Sequence, residues 1–119
     1  MGVYPIAKLK RKKIMEDGQI NPDSENGKIF GFTSELFEGY LWKKKNDIYI
    51  SLIISKQEGK GNLKKLFDNI LEQGFNVKVP TPFPRMQNIV SKLGFTKTFE
   101  QEKDFGDIEV WYKNADEKE

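Results

Sequence analysis

The stretch DIYISLIISKQEGKGNLKKLFDNILE, residues 47–72, decides the fold. Asp47 to Ser55 alternates apolar and polar at first, then runs continuously apolar at Leu52, Ile53 and Ile54. That is the pattern of a central strand with both faces covered. Lys56 to Asn62 forms a glycine-bearing loop. Leu63, Leu66, Phe67, Ile70 and Leu71 then recur at the spacing that lines one face of a helix. Asn62 is placed to cap this helix and Gly74 to end it. A strand and a helix in this order require a crossover to a parallel neighbouring strand.

Downstream, Phe75 to Val79 reads as a short strand closed by Pro80-Thr81-Pro82. A second helix is expected from Pro84 to Leu93, with Met86, Ile89, Val90 and Leu93 on one face and Gly94 as its stop. Phe95–Gln101 and Ile108–Lys113 read as two closing strands, joined by a loop containing Gly106. Upstream, residues 28–33 (KIFGFT) and 38–43 (FEGYLW, then Lys43) read as short aromatic strands, and KKKND at 43–47 as a hairpin turn. Residues 16–28 are polar, contain Asn21-Pro22 and Asn26-Gly27, and read as a loop. The expectation is one α/β (α+β) domain over 1–119 with a mixed, mostly antiparallel central sheet. Residues 1–28 would be a basic N-terminal strand or arm and loop, and 114–119 a flexible tail.

Composition narrows the chemistry. A chain of 119 residues with 15 aromatics is long enough to bury a core of its own. It has no Cys and no His, which removes disulfides, thiolate nucleophiles, cysteine zinc sites, imidazole bases and the HExxH motif. A metal would have to rest on carboxylates alone, and no DxDxDG loop is present, so no metal site is expected. No apolar run reaches the roughly 20 residues of a membrane span, and MGVYPIAKLKRKK lacks the apolar core of a signal peptide. A cytoplasmic protein without a membrane partner is expected. The net charge of +2 does not by itself imply a nucleic-acid partner.

The glycine loop is the candidate site. Glycines let the backbone approach a ligand, and the first N–H groups of the following helix point at it with the positive end of the helix dipole. Gly59, Gly61 and Asn62 occupy that place, with Lys60 between the glycines. The loop has neither P-loop spacing nor a dinucleotide fingerprint. The alternative is a tight turn that needs positive φ and binds nothing.

Glu58 to Glu72 resembles the acetyl-CoA loop and following helix of the GNAT acetyltransferase superfamily, whose pattern is Arg/Gln-x-x-Gly-x-Gly/Ala. Ile89 to Phe95 (IVSKLGF) resembles the family's second helix and its Leu-Gly-Phe exit, and the two closing strands resemble its C-terminal hairpin. The resemblance spans about residues 38–113. It implies an acyl-CoA-dependent N-acyltransferase that moves an acetyl group from acetyl-CoA to an amine. Backbone groups of Ile53 and Ile54 would hold the pantetheine arm, and Gly59 to Asn62 the pyrophosphate.

Two registers of the loop stay open. In one, Glu58 replaces the family's Arg/Gln and Gly61 is the conserved-type glycine. In the other, Gly59 and Gly61 are the two glycines and Lys56 takes the Arg/Gln position. A carboxylate at Glu58 repels pyrophosphate unless it points away, which favours Lys56 and Lys60 as phosphate cations. The family's usual acid, a Tyr four residues before the exit glycine, is replaced by Val90. Among Asp47, Tyr49 and Ser51 on the matching strand, Tyr49 is the candidate proton donor, against the plain alternative of sheet packing.

Members of that superfamily commonly have two helices between their first two strands, lining the acceptor site, whereas residues 10–28 leave room for little more than a loop. The resemblance therefore implies a truncated, open acceptor side, suited to a macromolecular acceptor such as protein or nucleic acid. The compact build and Val79 to Met86 are similar to small phage-type members, some of which modify bases in DNA. The competing reading is a catalytically inactive binding module for nucleic acid or protein. Lys8 to Lys13 would then hold phosphates, or else only solvate an arm. Lys43–Lys45 reads as a soluble hairpin tip, and Arg85 as a surface or capping residue with phosphate or adenine as the alternative.

Overall fold

The computed structural model describes residues 15–115. The basic run Lys8 to Lys13 and the tail beyond Ala115 lie outside the described residues. The elements are β1 (Gly18–Ile20), α1 (Glu25–Phe30), β2 (Phe37–Lys44), β3 (Asp47–Ser55), α2 (Asn62–Glu72), β4 (Asn76–Pro80), α3 (Pro84–Lys92), β5 (Thr96–Glu102) and β6 (Gly106–Lys113). Among the described residues the strands form one six-stranded sheet in the order β1-β2-β3-β4-β6-β5. Only β3 and β4 run parallel, joined by the α2 crossover; every other neighbouring pair is antiparallel. This is the mixed, mostly antiparallel α/β sheet expected from the sequence.

Leu66, Phe67, Ile70 and Leu71 of α2 are buried and join Ile48 and Ile50 of β3 and Val77 and Val79 of β4 in one core. Phe30 and Phe75 meet edge to face at 5.8 Å, and Phe67 and Phe95 at 5.4 Å. Such aromatic pairs add to the area they bury.

The N-terminal third departs from expectation. Residues 28–33 are not a strand: Glu25 to Phe30 is a helical turn and a half, with Gly31 as its left-handed cap at φ 77°. The Ser24 hydroxyl accepts from the Gly27 N–H at 3.0 Å, the bond of an N-cap. Phe30 and Phe32 are both fully buried, one from the helix and one after the left-handed reversal, and so mimic strand alternation. Residues 16–28, read as a loop, contain β1 and the start of α1.

Lys43 is not part of a soluble tip. It is 6% exposed, its Nζ lies 2.7 Å from Asp17 Oδ1, and it stands 5.8 Å from the centre of the Phe75 ring. The tail is tied down at its first residues, where the Ala115 N–H donates to Asn76 Oδ1 at 3.0 Å.

Two irregularities in β3 shape the site. Pairing with β2 slips at Tyr40/Leu41: Leu41 faces Ile50 but Tyr40 faces Leu52, so Ser51 is the extra residue of a bulge. Gly39 lies beside it at φ 114°, and a Cβ there would come within 1.9 Å of the Leu52 carbonyl oxygen. Pairing with β4 covers only Asp47, Ile48 and Tyr49, opposite Asn76, Val77 and Lys78. Beyond that point β3 and β4 diverge. After the bulge Leu52 and Ile54 lie opposite Tyr40 and Glu38 on the face away from the core, so the apolar run is not doubly covered: Leu52 is 53% exposed and Ile54 51%, while Ile53 packs against the core.

Candidate functional site

A cavity of about 460 Å³ lies at the end of β3, beyond its last pair with β4. Its first wall is the end of β3, at Ile53, Ile54 and Ser55. The second is the glycine loop and the start of α2: Gln57, Glu58, Gly59, Gly61, Asn62, Leu63 and Lys64. The third is α3 and the residue before it, through Phe83, Arg85, Met86, Ile89, Lys92 and Leu93. The volume is that of a small-ligand site, and the mix of an apolar body with a few charged groups is typical of one.

The loop geometry comes from its glycines. Gly59 and Gly61 take φ of 81° and 76°, a region costly for side-chain-bearing residues. Neither has any atom within 4 Å of where a Cβ would stand, so the space above both is open. Asn62 is the first helical residue rather than the cap; Gly61 holds the cap position and offers no side-chain bond. The first turn of α2 carries no acidic residue. Its leading N–H groups therefore face the cavity mouth without a side-chain cap, and the helix dipole adds positive potential there.

Of the residues singled out in the sequence, Ile53, Ile54, Gly59, Gly61 and Asn62 are brought together on this cavity. Lys56 and Lys60 are exposed on the same loop but do not line it. Tyr49 does not line it either. It is half-buried at the last β3–β4 pair, opposite Lys78, whose Nζ sits 5.6 Å from the ring centre. Burial pushes the Tyr49 phenol above its ordinary pKa, against the opposing effect of the Lys78 charge. Lys78 also binds Glu100 Oε2 at 2.6 Å and Asp47 Oδ2 at 3.2 Å. Burial disfavours its ammonium, but the hydrogen bond to Glu100 and the nearby negative charges outweigh that and hold its pKa above the usual lysine value.

Val90 is fully buried in the main core and does not reach the cavity. The apolar stripe of α3 thus divides: Val90 packs inward, Ile89 lines the cavity, and Met86 and Leu93 line it while also packing against the core. Periodicity finds this stripe but does not tell core from cavity wall. Arg85, read as a surface residue, contacts Glu58 across the mouth. No sequence signal marks that pair, since its members are 27 residues apart.

Among the described residues no cluster of His, Cys, Asp or Glu is arranged to hold a metal ion, and no helix is long and apolar enough to cross a membrane. Compared with protein-family models, curated proteins and solved structures, the chain finds no match.

Proposed function

We propose that the chain is an acyl-CoA-dependent N-acyltransferase of GNAT type that transfers acetyl from acetyl-CoA to an amine. The observation that carries this reading is the cavity where β3 and β4 part, closed by two left-handed glycines and the uncapped start of α2. The pyrophosphate would meet the N–H groups from Gly59 to Leu63, and the pantetheine arm the freed edge of β3 at Ile53 and Ile54. Lys56 and Lys60 on the same loop would add long-range attraction for phosphate. Backbone donors of the same strand edge would stabilise the tetrahedral intermediate.

Tyr49 is proposed as the proton donor to the departing thiolate. It stands at the last β3–β4 pair, where the two strands part, and carries the only phenolic proton on that stretch of β3. Tyr49→Phe is expected to lower kcat by about 10²–10⁴-fold with unchanged CoA affinity. Full activity in that variant assigns the proton to water or another group.

The cofactor assignment is tested by the melting temperature with millimolar acetyl-CoA or CoA, because a ligand that binds only the folded chain raises it. Wild type is expected to shift and Gly61→Val, still folded, is not. No shift in wild type refutes the enzyme reading. A binding module that uses the fold without chemistry is the second reading, favoured by Val90 in the core and Tyr49 outside the cavity lining. Protein or nucleic acid would then be the partner. A protein that takes up CoA but transfers no acyl group to amine, peptide or oligonucleotide acceptors supports it.

A further inference from the structure

Glu58 and Arg85 face each other across the cavity mouth, one on the glycine loop and one in the first turn of α3. Arg85 Nη2 lies 2.5 Å from Glu58 Oε1, and the two side chains are 69% and 54% exposed. Water competes for both partners, so the pair is weak and readily exchanged. The contact uses Nη2, and a guanidinium has five donors in a planar fork, so Arg85 retains capacity for a second acceptor.

The rest of this end of the cavity suits an anion. Gly59 and Gly61 leave open space above the backbone, α2 begins without a side-chain cap or an acid in its first turn, and the lining includes Lys92 and Lys64, the latter paired with Asp68 at 2.7 Å. Among the described residues, Glu58 is the only acidic one in the lining. A carboxylate there would work against any phosphate unless its charge is already matched, and Arg85 matches it.

We propose that Arg85 is an anion-binding residue of this cavity and that Glu58 is its stand-in counterion, displaced when a phosphate-bearing ligand enters. A multiply charged phosphate outcompetes a single carboxylate for a guanidinium it can grip with two N–H groups. A neutral or weakly charged ligand does not, so the pair selects for phosphate as well as holding the guanidinium at the mouth. The proposal deepens the acyl-CoA reading, because the pyrophosphate of coenzyme A is the anion that reading brings to the loop.

The test uses the whole chain and three probes: CoA, pantetheine, which has the same thiol arm without phosphate, and inorganic pyrophosphate. Affinities are measured by calorimetry for wild type, Glu58→Gln and Arg85→Gln, with the unliganded melting temperature as a control for folding. Glu58→Gln is expected to tighten CoA and pyrophosphate by about two- to fivefold, the scale of one exposed ion pair. The gain should shrink at high ionic strength. Arg85→Gln is expected to weaken both by about tenfold, and neither change should move pantetheine.

The proposal is overturned if Glu58→Gln leaves phosphate affinity unchanged or lowers it, or if Arg85→Gln binds as wild type. In that case CoA binding by wild type would still leave the acyl-CoA reading standing. If pyrophosphate follows the expected pattern while CoA fails to bind, the proposal stands and the acyl-CoA reading falls. No binding of any probe at millimolar concentration overturns both.

Discussion

The two halves of β3 each carry two isoleucines, yet the strand presents them differently on either side of its bulge. In the first half, Ile48 and Ile50 are buried, and β2 and β4 flank the strand. In the second, Leu52 and Ile54 are half-exposed, and β4 has turned away. The change falls at the Ser51 bulge, where Gly39 lets β2 approach the Leu52 carbonyl. The bulge therefore hands Leu52 and Ile54 to the face away from the core, beside Tyr40 and Glu38, while Ile53 stays packed on the core and forms the cavity wall together with Ile54. A similar division appears in α3, between Val90 in the core and Ile89 on the cavity, with Met86 and Leu93 touching both.

The strongest way to break this division is at the bulge. Gly39→Ala places a Cβ against the Leu52 carbonyl and forces a left-handed φ on alanine. It is expected to cost about 3 kcal/mol or more in urea unfolding, or to prevent folding. Gly61→Ala meets no atom and should cost only about 1 kcal/mol of backbone strain. Similar losses at the two sites would contradict the contrast.

Next in size is the pair of isoleucines. Ile48→Ala removes a fully buried side chain and should cost about 2–5 kcal/mol. Ile54→Ala removes a half-exposed one and should cost within about 0.5 kcal/mol. It should nevertheless weaken CoA binding, which Ile48→Ala at matched folded fraction should not.

The smallest effect concerns the N-terminal side of the sheet. Asp17 accepts from buried Lys43 at 2.7 Å and from the Lys45 backbone, and these bonds lower its pKa. A carboxylate with a depressed folded-state pKa contributes stability above its unfolded value of 3.8, which is lost as pH falls through the lower folded value. Asp17→Asn should therefore flatten the acid side of the stability profile. At neutral pH it leaves the buried Lys43 ammonium short of a charged partner and lowers the melting temperature slightly. An unchanged acid limb would remove Asp17 from that balance.

The sequence is legible where one local rule acts alone. The strand at 47–55, the α2 stripe, Gly74 and Gly94 at helix ends, and the closing hairpin all appear within a few residues of expectation. α1 is missed because a six-residue helix holds too few turns to display a period, and Phe30 and Phe32 imitate a strand. The burial of Lys43 depends on Asp17 and Phe75, which are distant in sequence, and the Arg85–Glu58 contact spans 27 residues. The opening of the sheet is hidden for the same reason. It comes from Gly39 on one strand acting on Leu52 of the next, and from β4 pairing with only three residues of β3.

The most direct test of the divided strand and its cavity is a backbone amide NMR titration with CoA. The account predicts shifts at Ile53, Ile54 and Gly59 to Lys64, with a second group from Arg85 to Leu93. The amides of Ile48, Ile50, Val77 and the β5–β6 hairpin should stay in place. Shifts centred on that hairpin or on β1, or a spectrum that CoA leaves unchanged, would contradict it.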